Sequence, residues 1–245
     1  MLPETMPVCP VRGSVIYPTM VMPIDAGRPI SIRAIGEALA RDRVLLIVSQ
    51  RDKEVETPRP SDLFEVGTAC NILKMRKNPD GSVQVLVQAF ARVRVREGLD
   101  LGDHLEARGE VLADEPGEPI LVKALVREGK DKFQALLKEG KYLAPEVAQF
   151  ILNLEDPSQL ADYVAFHMDF RLEDKQKVLE TANVAERLRA VLVLLEAELA
   201  LIETQRRIQQ QVKEEIDRNQ REYFLREQMK AIQRELHGEA GEQEV

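Results

Sequence analysis

The 245-residue chain has no tryptophan, 4% aromatic residues, two cysteines and three histidines. Cys9 and Cys70 form no CxxC pair, so they make no metal site by themselves. They read as two small apolar side chains in a reducing cytoplasm. No apolar run reaches the roughly 18 residues that cross a bilayer. The start, Met1-Leu2-Pro3-Glu4, lacks the basic-then-apolar order of a signal peptide. A membrane partner is therefore not expected. His104, His167 and His237 fall in different elements and none belongs to an HExxH. There is no GxxxxGK[ST] and no GxSxG, and Gly129-Lys130 and Gly140-Lys141 lack the rest of a phosphate loop. We expect no catalytic residue, no metal site and no cofactor in this chain.

Glycine and proline are missing from residues 158–237, and all thirteen prolines lie at or before Pro157. Without these breakers, long helices are free to form. Asn183 and Glu186 read as a capping box that starts a helix, and Gly238 is its first natural stop. Unbroken, about 54 residues at 1.5 Å each would span roughly 80 Å. Part of that helix should leave the body in which it starts.

Composition is that of a soluble globular protein, 44% hydrophobic and 31% charged. The net charge of −8 argues against a general nucleic-acid binder. Strand patterns fill the first 113 residues: 7–11 as an edge strand, 44–48 as a strand buried on both faces, 66–77, then 83–96 with alternating valines, and 104–113. One helix covers 30–41, and Asn78-Pro79-Asp80-Gly81 is a turn. Pro116-Gly117-Glu118-Pro119 separates this part from helices at 120–140, after Pro145, after Asp156-Pro157, and at 172–180. Along the long helix, Leu188, Val191, Leu192, Leu195, Leu199 and Ile202 make a wide apolar stripe. From Glu203 the stripe narrows to Ile208, Val212, Ile216 and Tyr223, the width of a coiled-coil seam. A second seam follows, with Leu225, Met229, Ile232 and Leu236.

The run Gln220-Arg221-Glu222-Tyr223-Phe224-Leu225-Arg226-Glu227-Gln228-Met229-Lys230-Ala231-Ile232-Gln233-Arg234-Glu235-Leu236 resembles the signature ahead of the ATPase module in the Lon family of ATP-dependent proteases. Pro7-Val8 through Arg12, Tyr17-Pro18 through Pro23, Gly27-Arg28-Pro29, Phe64-Glu65-Val66-Gly67-Thr68, Pro79-Asp80-Gly81, Asn153-Leu154-Glu155-Asp156-Pro157 and Leu160-Ala161-Asp162 resemble further family motifs, in order. The likeness covers nearly the whole chain.

The resemblance implies an α+β fold: a PUA-like β pseudo-barrel (1–115), a helical bundle (119–202), and one long C-terminal helix whose 203–237 part is a coiled-coil-like stalk. Residues 238–245 read as a truncated tail. The AAA+ ATPase and serine–lysine protease modules, with their ATP and Mg, belong to the parent and not to this stretch. In the family, this region helps capture unfolded, damaged or degron-tagged proteins and helps assemble a hexamer in the cytoplasm.

For substrate contact we single out Tyr17, Pro18, Met20, Met22 and Pro23, with Met75 as a neighbour. Methionine adapts to many partners. The competing reading is that these side chains plug the end of the barrel. For self-association the residues are Ile208, Val212, Ile216, Tyr223, Leu225, Met229 and Ile232, set against a solvated helix face. Two rival functions remain: a nucleic-acid module using Arg92, Arg94 and Arg96 on one strand face, and a coiled-coil scaffold without substrate.

Overall fold

The computed structural model describes residues 2–139 and 143–239, the side chains of 235–239 excepted. The tail assigned to 238–245 lies outside the described residues from 240 onward, as do Gly140 and the Leu236 side chain. Contacts divide the chain into two units, with the boundary after Glu196.

The first unit begins with six strands, β1 (Met6–Val11), β2 (Val21–Ala26), β3 (Val44–Ser49), β4 (Val66–Lys77), β5 (Val83–Asp100) and β6 (Leu105–Val111). One helix, α1 (Pro29–Ala40), interrupts them. The sheet order is β2-β5-β4-β3-β1-β6, and β5 also pairs with β6. That extra ladder closes five strands into a ring and leaves β2 outside it, hydrogen-bonded to β5 alone. β3 is buried along its whole length, as its unbroken apolar run requires. Leu45 and Ile47 face a core shared with Ile35 and Ala38 of α1, while Leu46 and Val48 face a second core with Val93 and Leu105.

β1 is not the edge strand expected from its prolines. It lies between β3, in parallel, and β6, antiparallel. The prolines are tolerated because each belongs to one ladder only: Pro7 to that with β6, Pro10 to that with β3, and Val8 alone to both. Gly67 is needed for close packing, since a Cβ there would stand 2.6 Å from the Ile47 carbonyl oxygen.

The helices follow as α2 (Pro119–Lys138), α3 (Pro145–Asn153), α4 (Pro157–His167), α5 (Leu172–Glu180) and α6 (Val184–Glu239). Gly129 does not break α2. Asp156 caps α4, accepting from the Ser158 and Gln159 amides at 2.8 and 3.1 Å. Asn183 caps α6 through the Glu186 amide at 3.1 Å. Only half of the capping box forms, because the Glu186 carboxylate pairs with Arg189. Phe133, Leu136, Ile151, Leu160, Val164, Leu188, Val191 and Leu195 are among the buried side chains of this helical part.

In the second unit α6 continues without interruption to Glu239. Every side chain from 203 to 234 is exposed. No helix among the described residues is long and apolar enough to cross a membrane.

Candidate functional site

The β4–β5 ladder contains two irregularities. Its register runs Ala69 to Ala91 and then Cys70 to Ala89, leaving Phe90 without a partner. Further along it runs Ile72 to Val87 and then Lys74 to Leu86, leaving Leu73 unpaired. Each is a β-bulge, which bends the strand and re-aims a side chain. Both bulged residues are large, apolar and solvent-facing, Phe90 at 40% and Leu73 at 42% exposure. On the neighbouring strand Val21 is 54% exposed and Pro23 is exposed beside half-buried Leu86. The outer face of β2–β5–β4 thus carries a discontinuous apolar strip on a rigid, hydrogen-bonded base. Thr19 secures one end of it: in a left-handed conformation (φ 69°), its amide donates to the Ala89 carbonyl at 2.9 Å. Such a strip offers area without direction, so it suits an apolar partner of loose sequence requirement.

The six residues chosen for substrate contact do not gather on one surface. Tyr17, Pro18 and Met20 are buried, so as placed they present no side chain to a partner. The Tyr17 hydroxyl donates to the Lys175 carbonyl at 2.8 Å, tying the loop to α5. Burial and the nearby Asp162 carboxylate push its pKa well above the usual phenol value. These three side chains are thus buried, and the Tyr17 bond turns the loop inward towards α5. Met22 is half-buried and packs at the margin of the core with α1, while Pro23 is exposed. Met75 is exposed on a different groove, of about 520 Å³, formed with Pro29, Ile32, Gly36 and Leu39 of α1.

The basic strand face is likewise corrected. Arg92 is buried, with its guanidinium 2.5 and 2.6 Å from the two Asp162 oxygens and 3.2 Å from Asp114. Arg187, fully buried in the first turn of α6, donates to the same Asp114 oxygen, Oδ1, at 2.7 Å and to Ser158 at 2.6 Å. Arg96 is exposed but pairs with Glu110. Two arginines and two aspartates therefore join β5, the β6–α2 connection, α4 and α6, so Arg92 is not part of an exposed basic face. Burial pushes Asp162 up to about 6 against the pull of both guanidiniums. Asp162 is therefore ionised at neutral pH. Asp114 is held below its ordinary value, because the bonds from Arg187 and Ser158 outweigh its partial burial.

Ile208, Val212, Ile216, Tyr223, Leu225, Met229 and Ile232 are each 50–69% exposed in the second unit. Cys9 and Cys70 are free thiols in one core, and burial raises the pKa of both, Cys9 to about 11. Among the described residues no group of three His, Cys, Asp or Glu side chains stands where it could hold a metal.

The sequence alone does not single out Leu73 and Phe90. Ile72-Leu73 breaks the period of two in β4, but in β5 the odd positions from Val83 to Val95 stay apolar throughout, so the alternation gives no sign of the bulge at Phe90.

The model of the ATP-dependent protease La (LON) substrate-binding domain matches residues 5–197. Lon protease 2 of Thermus thermophilus is 98% identical over 245 residues, covering all of this chain and 30% of that protein. Lon protease of Escherichia coli K12 is 41% identical over 230 residues, covering 94% of this chain and 29% of that protein. The chain thus spans about 30% of the length of these curated relatives. Among solved structures, the N-terminal domain of Mycobacterium avium complex Lon protease superposes with a TM-score of 0.66 at 26% identity, covering 79% of this chain and 98% of that one. The Lon N-terminal domain protein from Xanthomonas campestris, at 12% identity and a TM-score of 0.52, shares the fold.

Proposed function

The chain belongs to the Lon protease family through its substrate-binding domain, and from that premise we propose that it recognises unfolded, damaged or degron-tagged proteins for an ATP-dependent protease in the cytoplasm. The observation that carries this reading is the exposed apolar strip built around Leu73 and Phe90. An unfolded chain shows apolar side chains that its native form buries, and burying them on this strip requires no particular sequence. Tethering follows from the same contact: a bound segment is kept near the modules that would unfold and cut it. ATP and Mg belong to those modules, and no residue of this chain is assigned to hold them.

A second part of the proposal concerns α6. Its two exposed seams, Ile208 to Tyr223 and Leu225 to Ile232, are spaced for pairing with another helix, and we assign them to self-association during hexamer assembly. Their change of register means that one straight partner does not cover both.

The test of the substrate class is a titration of one protein in two forms, native and reduced-carboxymethylated, onto the 245-residue chain. Binding of the unfolded form alone supports the reading. Equal binding of both forms, or of neither, refutes it.

A further inference from the structure

The barrel wall has a slot. β6 covers β1 only as far as Val8, and β2 hangs on β5 without reaching β1. Between them lies a groove of about 360 Å³, within the size range of ligand pockets. Its walls are the end of β1 from Cys9, the loop to Ser14, and β2 from Met22, with Arg28 at the bottom.

Among the described residues the outer edge of β2 pairs with no strand. The Ala89 amide donates to the Met20 carbonyl, which sets the parity of the ladder. Met20, Met22, Ile24 and Ala26 turn their backbone groups to β5, and Val21, Pro23 and Asp25 turn theirs to the slot. Pro23 removes one donor from this row but leaves its carbonyl, so the edge is usable in one register and closed to promiscuous pairing.

Arg28 follows β2 directly and closes the slot like a crossbar. Its Nη2 donates to the Pro10 carbonyl across the gap at 2.6 Å, and its Nη1 to Gln50. Among the described residues no carboxylate lies within ion-pair distance of this guanidinium, whereas its neighbour Arg12 pairs with Glu56 at 3.2 Å. Burial and the charge of Arg12 outweigh the favourable charge of the more distant Glu56 and lower its pKa. Asp25 also lines the groove but is occupied with Gln84 at 2.8 Å. The α1 N-terminus beside it has no side-chain cap. The slot therefore combines an apolar wall, an outer strand edge, a blocked end and, at that end, a cation that makes no direct ion pair among the described residues.

We propose that this slot takes the C-terminal end of an extended apolar polypeptide, which adds to β2 as a parallel strand and presents its terminal carboxylate to Arg28. The direction follows from the crossbar: a chain entering beside Val21 and running as β2 runs must stop at Arg28, so what arrives there is a chain terminus. Main-chain hydrogen bonds supply affinity and the carboxylate supplies register, a combination used elsewhere in strand addition. This inference rests on the reading that the domain binds polypeptide substrates.

The test uses a fluorescent decapeptide of alternating valine and threonine with a free C-terminus, its C-terminal amide, and a version N-methylated on alternate residues. On the wild-type chain, amidation should weaken binding at least about tenfold, the loss expected for a charge-assisted bond. N-methylation of the edge-facing amides should weaken it by a similar factor. Arg28→Gln should bind acid and amide alike, and Arg28→Lys should restore part of the preference for the acid. Equal binding of acid and amide by the wild type, which needs no variant to fold, overturns the proposal. Reduced-carboxymethylated protein is titrated in parallel. If it binds while acid and amide peptides do not differ, the slot fails and the substrate reading stands; if nothing binds, both fail.

Discussion

Replacing Arg92 by methionine should unfasten the sheet from the helices. The substitution keeps most of the buried stem and removes the guanidinium held by Asp162, Asp114 and the Leu179 carbonyl. Asp114 keeps Arg187 at 2.7 Å, but Asp162 retains only the distant Arg187 at 3.9 Å. Removing one partner of a buried ion pair costs about 3–5 kcal/mol. At about 2–4 °C per kcal/mol for a unit of this size, the thermal midpoint should fall by roughly 6–20 °C. The loss has a pH signature. Asp162 already sits at about 6 in the wild type, raised by burial. Without Arg92 it rises further. A folded carboxyl raised above its unfolded value contributes stability at low pH that is lost as pH rises. The lost bonds to Asp114 and the Leu179 carbonyl act at every pH, and wild type and variant diverge further above about 6, where wild-type Asp162 is ionised and the variant's must remain protonated. The difference should be largest near pH 8 and smaller below pH 6. Adding Asp162→Asn to Arg92→Met removes the stranded charge and should recover most of the loss at pH 8. Thermal denaturation followed by far-ultraviolet circular dichroism between pH 5 and 8 measures all three proteins. A shift under about 2 °C at pH 8, a shift independent of pH, or a double variant no better than the single one would refute the reasoning.

Three further outcomes are expected. Gly67→Ala should destabilise by about 1–3 kcal/mol in denaturant, because its Cβ would press on the Ile47 carbonyl at 2.6 Å and on Val48 at 2.7 Å; unchanged stability would show that β3 and β4 are less rigidly spaced. Cys9 and Cys70, buried with raised pKa values, should resist an aromatic disulfide reagent at pH 8 until denaturant is added; rapid native labelling would contradict the closed core. Val212→Lys with Ile216→Lys, both sites 50% exposed in the wild type, should leave the unfolding midpoint within about 0.5 kcal/mol and reduce self-association in sedimentation; unaltered association would remove these residues from the interface.

Much of the fold is legible in the sequence because local physics decides it. The all-apolar run of β3, the limits of β4, the turn at 78–81 and the Asp156-Pro157 helix start each follow from a few adjacent residues. The candidate site is less legible. A bulge is an error of one residue in an otherwise regular alternation, and Leu73 and Phe90 look like ordinary strand residues until the register of β5 against β4 is known. Arg92, Arg94 and Arg96 alternate like a solvated face, yet Arg92 answers to Asp162, 70 residues away. Tyr17 lies in a proline-rich loop that reads as outward-facing, whereas it is buried with its hydroxyl held by Lys175, 158 residues on. For Arg92 and Tyr17 the deciding partner is distant in sequence.

The central claim, that an apolar strip on the outer sheet face takes unfolded polypeptide, is tested most directly with Leu73→Ser/Phe90→Ser. A phenylalanine buries about 150–250 Å², and Phe90 leaves 40% of its surface open. At about 25 cal/mol per Å², covering that part is worth roughly 2 kcal/mol, with about 1 kcal/mol more from Leu73. Titration of reduced-carboxymethylated protein onto wild type and the double variant, with both shown to be folded, should give at least about a tenfold weaker affinity for the variant. Equal affinity would contradict the account.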